Sequence, residues 1–506
     1  MVSILDGLLL GLHGLADPIV LLMLVVGSLI GTLTGSLPGL GVVSAMVLLM
    51  PIAFAMETPA QGMTLLAAIY LGTMFGGRIT AILINVPGEA QAVVTTFDGH
   101  PMMKQGRGGA ALGISALSSF FGGLVSFILL AGLAVPLAHF ALNFGPPEYT
   151  AVILFGFAAV IGLAEKQYLR SLITMCLGAL ITMVGIDFMT PTQRYVFMME
   201  LFDGIPFPII ALGVFGIAEV MVLSEKIPKM DTGLRTGKKT LSLRSLVPSL
   251  AEIKQCTPGI FRGTAIGCGL GILPGPGATI ATFVAYSAEK SLAKDPSRLG
   301  KGAIEGVAAP EAAANASVGG SIIPTVALGI PGSAAAAILL GAMMMFGLHA
   351  GPRVFVDPVS ASVVWTLIVG LFVANIVLLL CNTLMIPFFV WLIDVGQRHL
   401  KPIIVASAMI GAFAVTFSVT AMYICIVFGI LGYIMKKLNY PVGPFLLSLV
   451  LFQTLETTSR QALVISGGDF SIFFRGPISI TFMVLAILSF GYPLIRDRIS
   501  SKKKAS

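Results

Sequence analysis

The residues most able to do chemistry here are prolines and glycines that recur in a fixed pattern. Gly31 to Gly41 reads G-T-L-T-G-S-L-P-G-L-G, and Gly267 to Gly277 reads G-C-G-L-G-I-L-P-G-P-G. The shared core is G-x-x-x-G-x-L-P-G-x-G. A second landmark follows each copy: Gly76-Gly77 leads to Val86-Pro87-Gly88, and Gly319-Gly320 leads to Ile330-Pro331-Gly332. Proline lacks an N–H and glycine weakens a helix, so such segments cannot lie inside a regular helix. They leave backbone groups free. The N-terminus of a half-helix presents N–H donors and suits an anion, while loop carbonyls and half-helix C-termini suit a cation.

Polar side chains near these breaks extend the candidate binding set. In the first copy they are Thr32, Thr34, Ser36 and Ser44, with Gly35, Pro38, Gly39 and Gly41 supplying backbone. In the second, Gly271, Pro274, Gly275 and Gly277 supply backbone, and Thr279 and Thr282 follow. Such hydroxyls can coordinate a carboxylate or Na⁺, or simply hold helices together. Asn85 stands beside Pro87 and Gly88, and Ser333 beside Pro331 and Gly332. Glu311 and Asn315 are four apart and share a helix face. An intramembrane carboxylate is costly and usually functional, although Pro310 would also suit a helix start at the interface. Arg78, inside a long apolar run, has two readings: a fixed cation for an anionic ligand, or an ion-paired or snorkelling arginine.

Other chemistries lack their residues. There is no G-x-x-x-x-G-K-[ST] for ATP and no T-V-G-Y-G filter. No His offers itself as a base for Ser333, so no enzyme is expected. The five His have no metal spacing, and the five Cys include no CxxC. No cofactor is expected, apart from a coupling Na⁺ or H⁺.

The elements that carry these residues follow from composition. Of 506 residues, 56% are hydrophobic and 10% charged, against about 25% charged in a soluble protein. Mean hydropathy is +0.98. The long apolar runs define an all-α polytopic membrane protein with roughly 10 to 14 segments, at about 20 residues per crossing. They include Pro18–Phe54, Met63–Ile84, Gly259–Ala288, Glu311–Phe346, Val359–Ile393 and Pro402–Phe417. The basic residues, with a formal net charge of +7, cluster in loops and at the tail. That argues for membrane orientation rather than nucleic acid. The division is a membrane repeat half at 1–223, a basic cytoplasmic linker at 224–256, a second half at 257–495, and a basic cytoplasmic tail at 496–506. No cleavable signal peptide is evident.

Ordered recurrence of both landmarks points to an internal duplication. Broken helices at matching positions of two halves mark a transporter site. Gly259–Ala288 has basic flanks and is expected to be a re-entrant hairpin from the cytoplasm. Pro18–Phe54 is flanked by Asp17 and Glu57 and is expected to enter from outside, which makes the repeat inverted. Lys104 and Arg107 complicate the first half, because their charge argues inside. Glu219 is expected to reach the basic loop, and Glu456 and Arg460 to form a helix-end ion pair.

The chain resembles the large membrane subunit of the tripartite tricarboxylate transporters (TctA type) over nearly its whole length. The resemblance rests on Gly35 to Gly41, Phe75 to Gly88 (F-G-G-R-I-T-A-I-L-I-N-V-P-G), Gly271 to Gly277, Pro310 to Asn315 and Leu328 to Ser333. It implies a multi-pass protein of the bacterial inner membrane and transport of an organic di- or tricarboxylate such as citrate by symport with H⁺ or Na⁺. It also implies two partners, a small membrane subunit (TctB type) and a periplasmic solute-binding protein (TctC type). Two departures stand out: Arg78 replaces a small hydroxyl residue, and Ala314 replaces a second Asn. The alternative is a stand-alone secondary carrier or channel for another small solute.

Overall fold

A computed structural model describes residues 3–37, 40–162, 167–187, 189–225, 243–275, 277–349 and 351–505. Pro38 and Gly39 of the candidate set, and most of the basic linker, lie outside the described residues. The fold is all-α. Among the described residues the only sheet pairs Gly185–Ile186 with Gln193–Arg194. By length and composition six helices can each cross a membrane: Pro18–Ser36, Pro59–Ile84, Gly108–Ala141, Phe207–Glu225, Pro358–Leu384 and Val419–Lys437.

Two sets of elements hold the landmarks. The first comprises α2 (Pro18–Ser36), α3 (Gly41–Phe54), α4 (Pro59–Ile84), α5 (Val93–Lys104) and α6 (Gly108–Ala141). The second comprises α11 (Leu250–Ile272), α12 (Gly277–Leu292), α13 (Glu305–Leu328), α14 (Ala334–Met345) and α15 (Pro358–Leu384). α2 packs along α4, and α11 along α13. The sets interlock, with α6 on α13, α15 on α4, α14 on α3 and α5 on α12.

Glycines let the paired helices touch backbone to backbone. A Cβ on Gly27, Gly31 or Gly35 would come within 2.7, 2.5 or 2.3 Å of the carbonyls of Leu65, Ile69 and Thr73. A Cβ on Gly263, Gly267 or Gly271 would come within 2.1, 2.3 or 2.7 Å of those of Ala309, Ala313 and Ser317. Real Cβ atoms do not approach so closely. The match corrects one detail of the sequence alignment. Gly76 faces the Thr32 carbonyl and Gly320 faces the Cys268 carbonyl, so Gly76 corresponds to Gly320 and Gly77 to Ser321.

The main helix of each set stops alike. Asn85 caps α4 with φ 59° and ψ 28°, and Gly329 caps α13 with φ 72° and ψ 23°. Each turn is closed by an amide reaching six residues back, Val86 N–H to the Thr80 carbonyl (3.3 Å) and Ile330 N–H to that of Pro324 (3.2 Å). This left-handed stop favours Gly, with Asn the usual substitute.

The α2–α3 hairpin has both ends at one face. There the Gln61 amide donates to Asp17 at 3.0 Å, and Gly62 abuts Ala53. The α11–α12 hairpin also has both ends together, with Arg262 on Glu289 at 2.5 Å. Its face is the one holding the C-terminal end of α5 and the segment after it, where Arg107 meets Glu252 at 2.7 Å. At that face Asp98 of α5 accepts four contacts, from the Gly300, Gly302 and Ala303 N–H groups and the Tyr286 hydroxyl, at 2.8–3.0 Å.

Several sequence expectations need revision. α13 starts at Glu305 rather than at Pro310, so Glu311 lies inside a helix and is 3% exposed. The run Val359–Ile393 breaks at Leu384, and the next helix, Ile386–Thr416, passes through Pro402. Glu219 pairs with Lys436; the basic loop it was expected to reach lies outside the described residues.

The packing predicts opposite effects of one substitution on two faces of α11. Gly267→Ala should destabilise by about 1–3 kcal/mol through overpacking. Gly269→Ala, with nothing within 4 Å, should be neutral or gain up to about 1 kcal/mol of helix propensity. Thermal unfolding in detergent checks this; equal shifts would contradict the tight α11–α13 contact.

Candidate functional site

Within each set the Pro-Gly breaks meet. A Cβ on Gly88 would lie 1.9 Å from the Gly35 carbonyl, and one on Gly332 would lie 2.6 Å from that of Gly271. Gly88 N–H donates to the Gly77 carbonyl at 3.3 Å, and Gly275 N–H to that of Gly332 at 3.2 Å. The candidates Gly35, Gly88, Gly271, Gly275 and Gly332 thus come together in two clusters. Pro274 and Gly277 are buried in the second, and Pro87 is half-buried in the first. Gly41 opens α3 with φ 64°. Asn85 is exposed at the end of α4.

One side chain joins the two sets near these breaks. The Tyr70 hydroxyl, on α4, lies 3.1 Å from the Ser321 hydroxyl and 3.2 Å from that of Ser333. Ser333 caps α14, accepting from the Ala336 N–H at 3.1 Å. Ser333, Pro331, Gly275, Ala334 and Ala337 line a cavity of about 270 Å³, closed by Val160, Gln167, Ser171 and the Pro441–Leu447 stretch. A second cavity, of about 390 Å³, reaches Gly329 from the other side and includes Tyr149, Arg353, Thr454, Thr458 and Gln461. Ile330, Leu340 and Leu451 sit in one apolar cluster beside both. A larger cavity of about 550 Å³ lies away from the breaks. In it Arg460 meets Asp187 at 2.6 Å and Glu456 at 3.4 Å, and Arg194 meets Glu456 at 2.8 Å. Both of its arginines are engaged by Asp187 and Glu456, and Asp203 adds a further negative charge, so size alone does not make it the site for an anion.

The remaining candidates form a separate buried group. Arg78 Nη1 donates to Ser119 Oγ at 2.8 Å and lies 3.9 Å from Glu311 Oε2. Ser119 in turn donates to Glu311 at 3.2 Å, and Thr95 donates to its other oxygen at 2.5 Å. The guanidinium stacks 4.6 Å from the Phe75 ring centroid. Of the two sequence readings, the ion-paired arginine describes this geometry, although Nη2 has no protein partner. The Asn315 amide donates to the Glu311 carbonyl at 3.2 Å and its Oδ1 is unpaired. Thr32 donates to the Ser28 carbonyl and accepts from Asn382, and Ser36 donates to the Leu33 carbonyl. Thr279 is half-buried on α12.

Sequence reasoning missed Tyr70, Glu89 and Asn382. The first and last carry no local motif. Glu89 directly follows Pro87-Gly88, at the position equivalent to Ser333, and that alignment was the available signal.

A helical chain with membrane-length segments and buried, interrupted helices is a polytopic membrane protein. Residues 21–447 match the tripartite tricarboxylate transporter TctA family, and the chain belongs to it. It is 38% identical over 488 residues to an uncharacterized 52.8 kDa protein in the TAR-I ttuC' 3' region of Agrobacterium vitis, covering 96% of this chain and 95% of that one. It is 37% identical over 219 residues to an uncharacterized protein in the TAR-II ttuC' 3' region of the same organism, covering 43% of this chain and 90% of that one. No solved structure matches.

Breaking the buried pair on one side should be costly. Arg78→Ala or Glu311→Ala should each destabilise by about 3–5 kcal/mol, and Arg78→Met with Glu311→Met together should recover much of that loss. Thermal stability of the three variants in detergent is the measurement. Wild-type stability in both single variants would remove the pair from the structural account.

Proposed function

We propose that the chain is the large permease subunit of a binding-protein-dependent secondary transporter that imports an organic di- or tricarboxylate. The observation that carries this reading is the second break. There the N-terminal turn of α14, capped by Ser333, borders a cavity of about 270 Å³, and N–H groups with a positive dipole end favour a carboxylate. Substrate passes from the cavity holding Arg353 to the one holding Ser333 when the apolar barrier at Ile330, Leu340 and Leu451 opens. An H⁺ or Na⁺ gradient drives it. Arg78 and Glu311 hold α4, α6 and α13 in place rather than touching the anion.

The halves 1–223 and 257–495 are read as an inverted repeat. The equal glycine contacts of α2–α4 and α11–α13 support the duplication, and the opposite faces at which the two hairpins open support the inversion. Arg107 fits this reading because α4 crosses between the first hairpin's ends and the loop that carries it. Lysines and arginines at the Glu252 face make it cytoplasmic by the positive-inside rule, with the protein in the bacterial inner membrane. The partners are a small membrane subunit and a periplasmic binding protein that delivers the carboxylate.

Proteoliposome uptake of radiolabelled di- and tricarboxylates tests the reading. Reconstitution with the small subunit should give transport only when the binding protein is present. Equal uptake by this chain alone would favour a stand-alone carrier. In the active system Ser333→Ala should lower uptake severalfold without changing membrane insertion; unchanged uptake would remove α14 from the path.

A further inference from the structure

The described buried carboxylates differ in how their charge is met. Glu311 has Arg78, Glu219 has Lys436, Glu289 has Arg262, Glu305 has Arg298, and Asp187 has Arg194 and Arg460. Asp98 has three backbone N–H groups and a phenol. Glu89 has none of these. It is 8% exposed. Its Oε2 accepts from the Gln91 amide at 2.7 Å, and its Oε1 has no hydrogen-bond partner among the described side chains.

The surroundings supply no counter-charge. Glu89 packs on Gly77, whose Cβ would stand 3.4 Å from its Cγ, and the Val42 amide acts on the carboxylate from the start of α3. The Gln91 amide also lies 2.9 Å from the Met74 sulfur. α3 carries no charged residue. On α4 the ionisable groups are Tyr70 and Arg78, and Arg78 is engaged by Glu311. On α5 they are Asp98, His100 and Lys104; Asp98 is saturated, and His100 faces the Ile82 carbonyl at 3.2 Å. On α12 they are Tyr286, Glu289 and Lys290; the first two are held by Asp98 and Arg262. A lone carboxylate in such a place is strongly penalised while it is charged.

We propose that Glu89 is the site that binds and releases the coupling proton. The inference rests on the transport reading above and deepens it. The groups that the carboxylate meets are the Gln91 and Val42 amides, which are donors, and Gly77, rather than the several oxygens a bound Na⁺ requires, so the ligand is H⁺. Asn85 and Ala90 beside Glu89 are exposed, which gives a proton a way in. From there a proton adds to the free Oε1 and converts carboxylate to carboxylic acid; on release it returns to water at the other side. The state of Glu89 reaches the substrate cavity along α4, where Gly77 packs against Glu89 and Tyr70 contacts Ser333 at 3.2 Å. Protonation at one break thereby biases the cap of α14 at the other.

The test uses the purified full-length chain and the reconstituted transporter. Infrared titration of the chain should show a protonated-carboxyl band that is absent in the isosteric Glu89→Gln variant and displaced along the pH axis in Glu89→Asp. This readout stands whatever the transported solute. In proteoliposomes Glu89→Gln should lose acceleration by an imposed pH gradient while still exchanging labelled for unlabelled carboxylate. An unchanged infrared band in Glu89→Gln, or gradient-driven uptake at the wild-type rate, overturns the proposal. A band abolished by Na⁺ alone at constant pH also overturns it, in favour of sodium. Loss of exchange in wild-type protein with the band intact would instead count against the transport reading.

Discussion

Unwound backbone buried in a membrane protein must find its partners within the protein, because hydrocarbon offers none. Everything at the two breaks follows from this constraint. The free amide of Gly88 donates to the Gly77 carbonyl on α4 and that of Gly275 to the Gly332 carbonyl of the neighbouring break, while the left-handed Asn85 and Gly329 let the Val86 and Ile330 amides reach back six residues and close α4 and α13. Such exchanges need main chains nearly in contact. Glycine at every fourth position of α2 and α11 allows that approach, since any side chain there would occupy the space of a carbonyl. The glycine ladders and the Pro-Gly breaks are therefore two parts of one solution.

The interlocking of the two sets places polar groups from one beside the break of the other. Tyr70 comes from α4 but serves Ser321 and Ser333. Arg78, also on α4, finds Glu311 on α13 through Ser119 on α6. The sets are not equivalent in detail. Tyr70 corresponds to Ala314, and Ser333 to Glu89. One break thus meets a small hydroxyl within reach of a phenol, and the other carries a buried acid. Two similarly built sets of helices carry two different chemistries.

Much of this was legible in the sequence. The L-P-G-x-G copies predicted the breaks after α2 and α11, and Asp17, Glu57 and the basic flanks of α11–α12 predicted which ends lie together. Those signals are local, being properties of proline, glycine and charge. What failed was long-range. Pro310 suggested a helix start, but a proline is tolerated once the preceding turn is packed, so α13 begins at Glu305 and takes Glu311 into the interior. Arg78 had two readings because nothing in its own run shows a partner 233 residues away. Gly76-Gly77 was aligned one position off, because glycine pairs look alike until the carbonyl each one faces is known.

Asp98 also links the two sets. It stands on the half-helix that follows the first break, yet it grips the turn joining α12 to α13 through three main-chain amides. The Tyr286 hydroxyl adds a fourth donor, and Gly300 and Gly302 hold the turn at φ 88° and 103°, backbone that glycine favours. Mechanically it is a tie-rod, fastening the short helix after one break to the base of the other hairpin.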